Sequence, residues 1–186
     1  MALKLKITLV TALLLLAACR SDPIHFHTLI PAQPGGTARG NAADAVIESI
    51  TVPPQVDRPQ IVIRQGSSGL VILETEWWGA SLPDELSSAL VDQLINSNLQ
   101  HKVSLRVDVQ RFDSIPGQYA LIDVKWRLRN PGDTDNTLVT CRSTFQTPSG
   151  PSIDDLVVAH QNNLKRLTAL ISQAAKGPSR GCPASP

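Results

Sequence analysis

Two stretches near the middle of the chain alternate cleanly. Val103, Leu105, Val107 and Val109 are separated by Ser104, Arg106, Asp108 and Gln110; Ile122, Val124, Trp126 and Leu128 are separated by Asp123, Lys125, Arg127 and Arg129. A period of two with one apolar and one wet face predicts antiparallel strands covered on a single side. Pro116-Gly117 marks the turn between them, and Pro131-Gly132-Asp133 the next. Leu138 to Phe145 predicts a further strand with Val139, Cys141 and Phe145 inward. The pattern then changes period. Ile153, Val157, His160, Leu164, Leu167, Ile171 and Ala174 step by fours and threes, an apolar helical stripe. Ser152-x-x-Asp155 caps this helix at its start and Gly177-Pro178 stops it.

The first half carries shorter signals. Ile24 to Ile30 reads as extended, followed by a Pro/Gly-rich loop from Pro31 to Asp44. Val46 to Val52 predicts a second strand, ended by Pro53-Pro54. Gln60 to Arg64 and Leu70 to Thr75 flank Gly66-Ser67-Ser68-Gly69, a hairpin signal. Ser81-x-x-Asp84 with Pro83 opens a helix whose apolar positions are Leu86, Ala89, Leu90, Leu94 and Ile95. The expected fold class is α+β: a mixed, largely antiparallel sheet with two main helices packed on one face.

The amino terminus follows a different grammar. Lys4 and Lys6 precede a mostly apolar run from Ile7 to Leu16, and small residues lead to Cys19. That is the layout of a secretory signal peptide, and it is too short for a membrane span, which needs ~20 apolar residues. Leu16-Ala17-Ala18-Cys19 resembles the bacterial lipoprotein box. The resemblance implies cleavage before Cys19 and acylation of its thiol with a covalent lipid such as palmitate. Arg20, not aspartate, follows the cysteine; by the sorting rule of such lipoproteins this implies the outer membrane, facing the periplasm. The domain reading is therefore a signal peptide over 1–18, a lipidated tether over 19–23, a single α+β domain over 24–177 and a flexible tail over 178–186.

Composition narrows the chemistry. Losing Lys4 and Lys6 drops the 17 basic residues by two against 16 acidic ones, a formal −1, so no basic excess argues for nucleic acid. With Cys19 acylated, two cysteines remain. In an oxidising compartment Cys141 and Cys182 are a candidate disulfide; the alternative is a buried free Cys141 and a loose tail. His25 and His27 share a strand face, but no ligand pattern surrounds them and no metal site is expected. The stripe position of His160 suits a core histidine better than a catalyst. Arg106, Arg127 and Arg129 could gather on the wet sheet face. Trp77 and Trp78 are adjacent on a strand and should face opposite ways; they are the candidate partner-binding residues. No G-x-S-x-G is present and no catalytic residue is assigned, although a hydrolase using His25, His27 or His160 is a rival reading.

An ordered set of segments adds a family expectation. Ile50-Thr51-Val52-Pro53, Asp57-Arg58-Pro59-Gln60-Ile61-Val62-x-Arg64, the Trp78-to-Leu94 strand–helix junction, Val107-x-Val109-x-Arg111-Phe112, Trp126-Arg127-Leu128 and Asp155-Leu156-Val157-Val158-Ala159-His160 follow the lipobox. Together they resemble the PqiC-type auxiliary lipoproteins of MCE (mammalian-cell-entry) lipid-transport systems. Gly79-Ala80 departs from that pattern, in which a charged or polar residue is expected before the helix, and the resemblance does not place Cys182. The resemblance implies a non-enzymatic outer-membrane lipoprotein without cofactors beyond the lipid on Cys19. Its implied partners are a periplasm-spanning MCE-domain protein and an inner-membrane permease-like protein; a homo-oligomer is left open. The rival of another class is a binding lipoprotein that assists assembly of an outer-membrane protein.

Overall fold

The structure, a computed structural model, describes residues 22–32, 45–97, 99, 102–129, 138–176 and 181–183. The signal segment, Cys19, the loop from 33 to 44, the turn at Pro131-Gly132-Asp133 and most of the tail lie outside these residues.

Among the described residues, seven strands and two helices follow the order β1 (His25–His27), β2 (Ala45–Thr51), β3 (Gln60–Gln65), β4 (Gly69–Trp78), α1 (Leu82–Ile95), β5 (Val103–Ile115), β6 (Tyr119–Arg129), β7 (Leu138–Pro148) and α2 (Ile153–Lys176). The fold is α+β. Its strands divide into two sheets, one ordered β1-β4-β3 and the other β2-β5-β6-β7. The β1–β4 and β2–β5 pairs are parallel and the rest antiparallel. A parallel pair needs a long crossover, and the one from β2 to β5 contains β3, β4 and α1. α1 packs on β2, α2 lies along β6 and β7, and the two helices touch.

The alternation of β5 and β6 gives one buried face, as its period requires. Val103, Leu105, Val107 and Val109 point into the core with Ile122, Val124, Trp126 and Leu128 opposite. A bulge between Val109 and Arg111 leaves Gln110 unpaired and shifts the phase by one residue. Beyond it Phe112 and Ser114 are the buried residues that meet α2, and β5 runs five residues past the expected end. The wet side of the bulge holds Asp113, buried and ion-paired to Arg64 of β3 at 2.7 Å and to Arg111. This pairing links the two sheets.

Both helices start on capping boxes. Ser81 Oγ accepts from the Asp84 N–H at 3.3 Å and donates to the Asp84 carboxylate at 2.5 Å. Ser152 Oγ accepts from the Asp155 N–H at 3.0 Å and donates to its carboxylate at 2.6 Å. The α2 stripe from Val157 to Ala174 is buried throughout. Beside it Asn163, fully buried, donates to the Ala120 carbonyl at 3.0 Å and accepts from Thr147 Oγ1 at 2.7 Å. That pair fixes the helix against the hairpin end of β6 and the end of β7. Cys141, buried on β7 opposite Trp126, is bonded to Cys182, with Cα atoms 5.6 Å apart.

Candidate functional site

The segment nearest the expected lipid attachment is held to the domain at every turn. β1 lies on the edge of its sheet, paired with β4 so that His25, Phe26 and His27 face Glu76, Trp77 and Trp78. His25 Nδ1 donates to Glu76 Oε1 at 3.0 Å and His27 Nε2 to Glu76 Oε2 at 2.5 Å. The other nitrogen of His27 lies 3.3 Å from the Asp154 carboxylate in the first turn of α2. Burial pushes the Glu76 carboxyl up, but the hydrogen bonds from His27 and His25 outweigh it and hold its pKa below the usual carboxylate value. The two histidines therefore clamp one carboxylate. Among the described residues no group of three His, Cys, Asp or Glu side chains is placed to hold a metal.

The extended segment was expected to reach Ile30, yet the ladder ends at His27. The reason is Glu85. This buried carboxylate in the first turn of α1 accepts from Thr28 Oγ1 and from the Leu29 N–H, both at 2.8 Å. An acidic group near a helix start is favoured by the helix dipole, and here it draws the passing chain off the sheet. Gly79 N–H donates to the His27 carbonyl at 2.8 Å, and Gln161 Nε2 to the Thr28 carbonyl at 3.0 Å. A Cβ at Gly79 would stand 3.1 Å from Glu85 Oε1, so the small residue at this position leaves room for the carboxylate. Leu29, fully buried, completes the attachment. Sequence reasoning did not single out Glu76 or Glu85, because their partners lie about fifty residues away along the chain.

The tryptophan pair separates as adjacent strand residues must. Trp78 is 4% exposed and packs edge-on against Phe112, ring centres 6.3 Å apart. Its expected role as a partner contact is corrected: the ring is enclosed by the core. Trp77 lies at the surface against Phe26, edge to face at 6.4 Å, and its indole N–H donates to the Glu74 carbonyl at 2.9 Å.

His160 is 1% exposed and stacks flat on Phe112 at 3.9 Å. Its Nε2 shares a 2.8 Å hydrogen bond with Ser114 Oγ, itself 2% exposed. Burial lowers its pKa to about 3, the nearby Asp113 opposing only in part. A serine beside a histidine is the start of a hydrolase, but this one is a neutral packing pair sealed under α2. On the wet sheet face Arg106 stands directly opposite Arg127, and Ser104 opposite Arg129. With Glu48 and Leu138 these line a shallow hollow of about 50 Å³. Arg106 donates to Glu48 at 2.5 Å, which lowers the Glu48 pKa. A larger cleft of about 560 Å³ runs between α1 and α2, lined by Gln93, Asn96, Lys165, Thr168 and Ser172 among others. The Thr168 and Ser172 hydroxyls are buried there without a hydrogen-bond partner among the described residues.

Comparison with known proteins adds a family and a fold. The family model described as ABC-type transport auxiliary lipoprotein component matches residues 27–172. The crystal structure of an uncharacterized protein superposes with a TM-score of 0.66 at 16% identity, covering 82% of this chain and 98% of that one. A Xanthomonas campestris protein superposes with a TM-score of 0.58 at 18% identity, covering 82% and 94%. No curated protein matches the sequence. At these identities the two structures speak for the fold alone.

Proposed function

Because the chain belongs to the family of ABC-type transport auxiliary lipoprotein components, we propose that it is the outer-membrane accessory subunit of an MCE-type intermembrane lipid-transport system. The family places it beside an ABC-type transport system as a membrane-anchored auxiliary protein rather than as a known class of enzyme. The finer assignment has Cys19 carrying the acyl chains, the domain facing the periplasm, and a periplasm-spanning MCE-domain protein as the subunit it docks. Supporting it are the lipobox, the Arg20 that follows it and the ordered family segments. The observation that carries the reading is the family match across nearly the whole domain.

The fold suits a mounting part. Among the described residues no helix is long and apolar enough to cross a membrane, and the first strand begins six residues after Cys19. Six residues span at most ~22 Å. The contacts to Glu76 and Glu85 fix the chain from His27 to Leu29 on the domain, a few residues beyond that short tether.

The test is co-purification from detergent-solubilised envelopes, with membrane fractionation of Cys19→Ala alongside. The expected result is recovery of an MCE-domain protein with the wild type, and loss of outer-membrane association in the variant. Recovery of an outer-membrane assembly complex instead, or a variant that still fractionates with the outer membrane after a salt wash, would overturn the reading.

A further inference from the structure

We propose that the aromatic pair of exposed Phe26 and half-buried Trp77 sits in the interfacial layer of the phospholipid bilayer and sets the orientation of the domain on the membrane. The inference rests on the lipid anchor at Cys19 proposed above and deepens it. Phe26 is 66% exposed, and Ile24, just before the strand, is 45% exposed. Trp77 lies edge-on beside Phe26 and extends the same surface. The fold itself gains little from a large apolar ring at position 26, since most of that ring faces solvent.

Three observations select a bilayer as the occupant. The first is reach. Phe26 follows Cys19 by seven residues, which span at most ~25 Å. An acylated Cys19 keeps Phe26 within that distance of the lipid headgroups, so the bilayer is a partner met at high effective concentration. The second is rigidity. The backbone of β1 is paired with β4 and tied at Gly79, Glu85 and Gln161, so the rings move with the whole domain and inserting them orients it. The third is polar satisfaction. A buried N–H without an acceptor is costly away from water. The Trp77 indole N–H is already bonded to the Glu74 carbonyl, so the ring can enter a low-dielectric layer with no orphaned donor. Amphipathic aromatic rings concentrate at this depth of the membrane. Exposed Glu74, whose carbonyl holds the Trp77 indole, disfavours a strongly anionic surface, so neutral phosphatidylcholine is the probe of choice.

The experiment reconstitutes the acylated full-length protein into phosphatidylcholine vesicles, with or without lipids brominated near the headgroup, and reads tryptophan emission. Trp78 and Trp126 are in the core, so contact quenching reports Trp77. The expected result is a loss of emission in brominated vesicles that disappears in Trp77→Phe. Phe26→Ser, at an exposed position, is expected to melt like the wild type and to reduce the quenching. Vesicle-bound protein whose emission is the same in both lipids, or whose quenching survives Trp77→Phe, would overturn the proposal while leaving the anchor intact. Protein that does not float with vesicles at all would remove the anchor, and this proposal with it.

Discussion

Acidification from about pH 7.5 to about pH 5 should cost the protein about 2 kcal/mol through His160 alone. The imidazole is sealed between Phe112 and the core of α2, and burial lowers its pKa to about 3 from its ordinary value of 6.5. In the unfolded chain the same ring titrates at its ordinary value. Between those two values the unfolded state binds the extra proton and the folded state does not, so stability rises with pH. It is fully present above the unfolded pKa and is lost as the pH falls below it, at about 1.4 kcal/mol per pH unit. The carboxylates held low by their partners, Glu48, Glu76 and Asp123, lose their own contributions only further down, below the usual carboxylate values. The perturbation that isolates the effect is His160→Gln, whose amide can keep the Ser114 hydrogen bond but does not titrate. The variant starts less stable because the Phe112 stack is lost. Its stability should then fall by about 2 kcal/mol less than that of the wild type over the same pH interval. Urea unfolding followed by tryptophan fluorescence at several pH values measures both curves, and their difference cancels every group the two proteins share. Parallel curves would refute the reasoning, because a ring that is protonated without cost in the folded state is not a buried neutral one.

Three further outcomes are expected. Cys182→Ala opens a covalent loop of 41 residues in sequence separation, worth about 3–4 kcal/mol in the chain-entropy model; denaturant midpoints with and without reductant check it, and reductant should shift the wild type alone. Glu85→Ala leaves the buried Leu29 N–H without its acceptor, at a cost of about 1–3 kcal/mol, and hydrogen exchange should quicken at residues 28–30 before the core strands. Thr168→Val removes a buried hydroxyl that has no partner among the described residues, so it should be neutral or stabilising by up to about 1 kcal/mol in thermal unfolding; a clear loss would mean that the hydroxyl has a partner in the cleft.

Local pattern was enough for the kind and order of the elements and for the buried face of most of their length. The 3.6-residue stripe of α2, the two capping boxes and the period-two runs of β5 and β6 depend on neighbours within a few residues, and all are found where they were expected. The same locality explains what could not be read. The bulge at Gln110 reverses the inward face of β5 because β6 imposes its register, and nothing in the flanking residues marks it. The division into two sheets follows from β1 and β2 each pairing in parallel with a strand much later in the chain. Trp77 and Trp78 are alike in sequence, and only the packing of Phe112 beneath the second separates a surface ring from a core ring. Cys141 was legible as inward-pointing, but its bond to Cys182 depended on where α2 returns the chain. The clamp on β1 is the clearest case: Glu76 and Glu85 are ordinary acidic residues of a strand and a helix start until the fold brings the first strand between them. Hydrogen-bond partners some fifty residues apart leave no periodic trace along a chain, so tertiary structure alone decided how the tethered end is held.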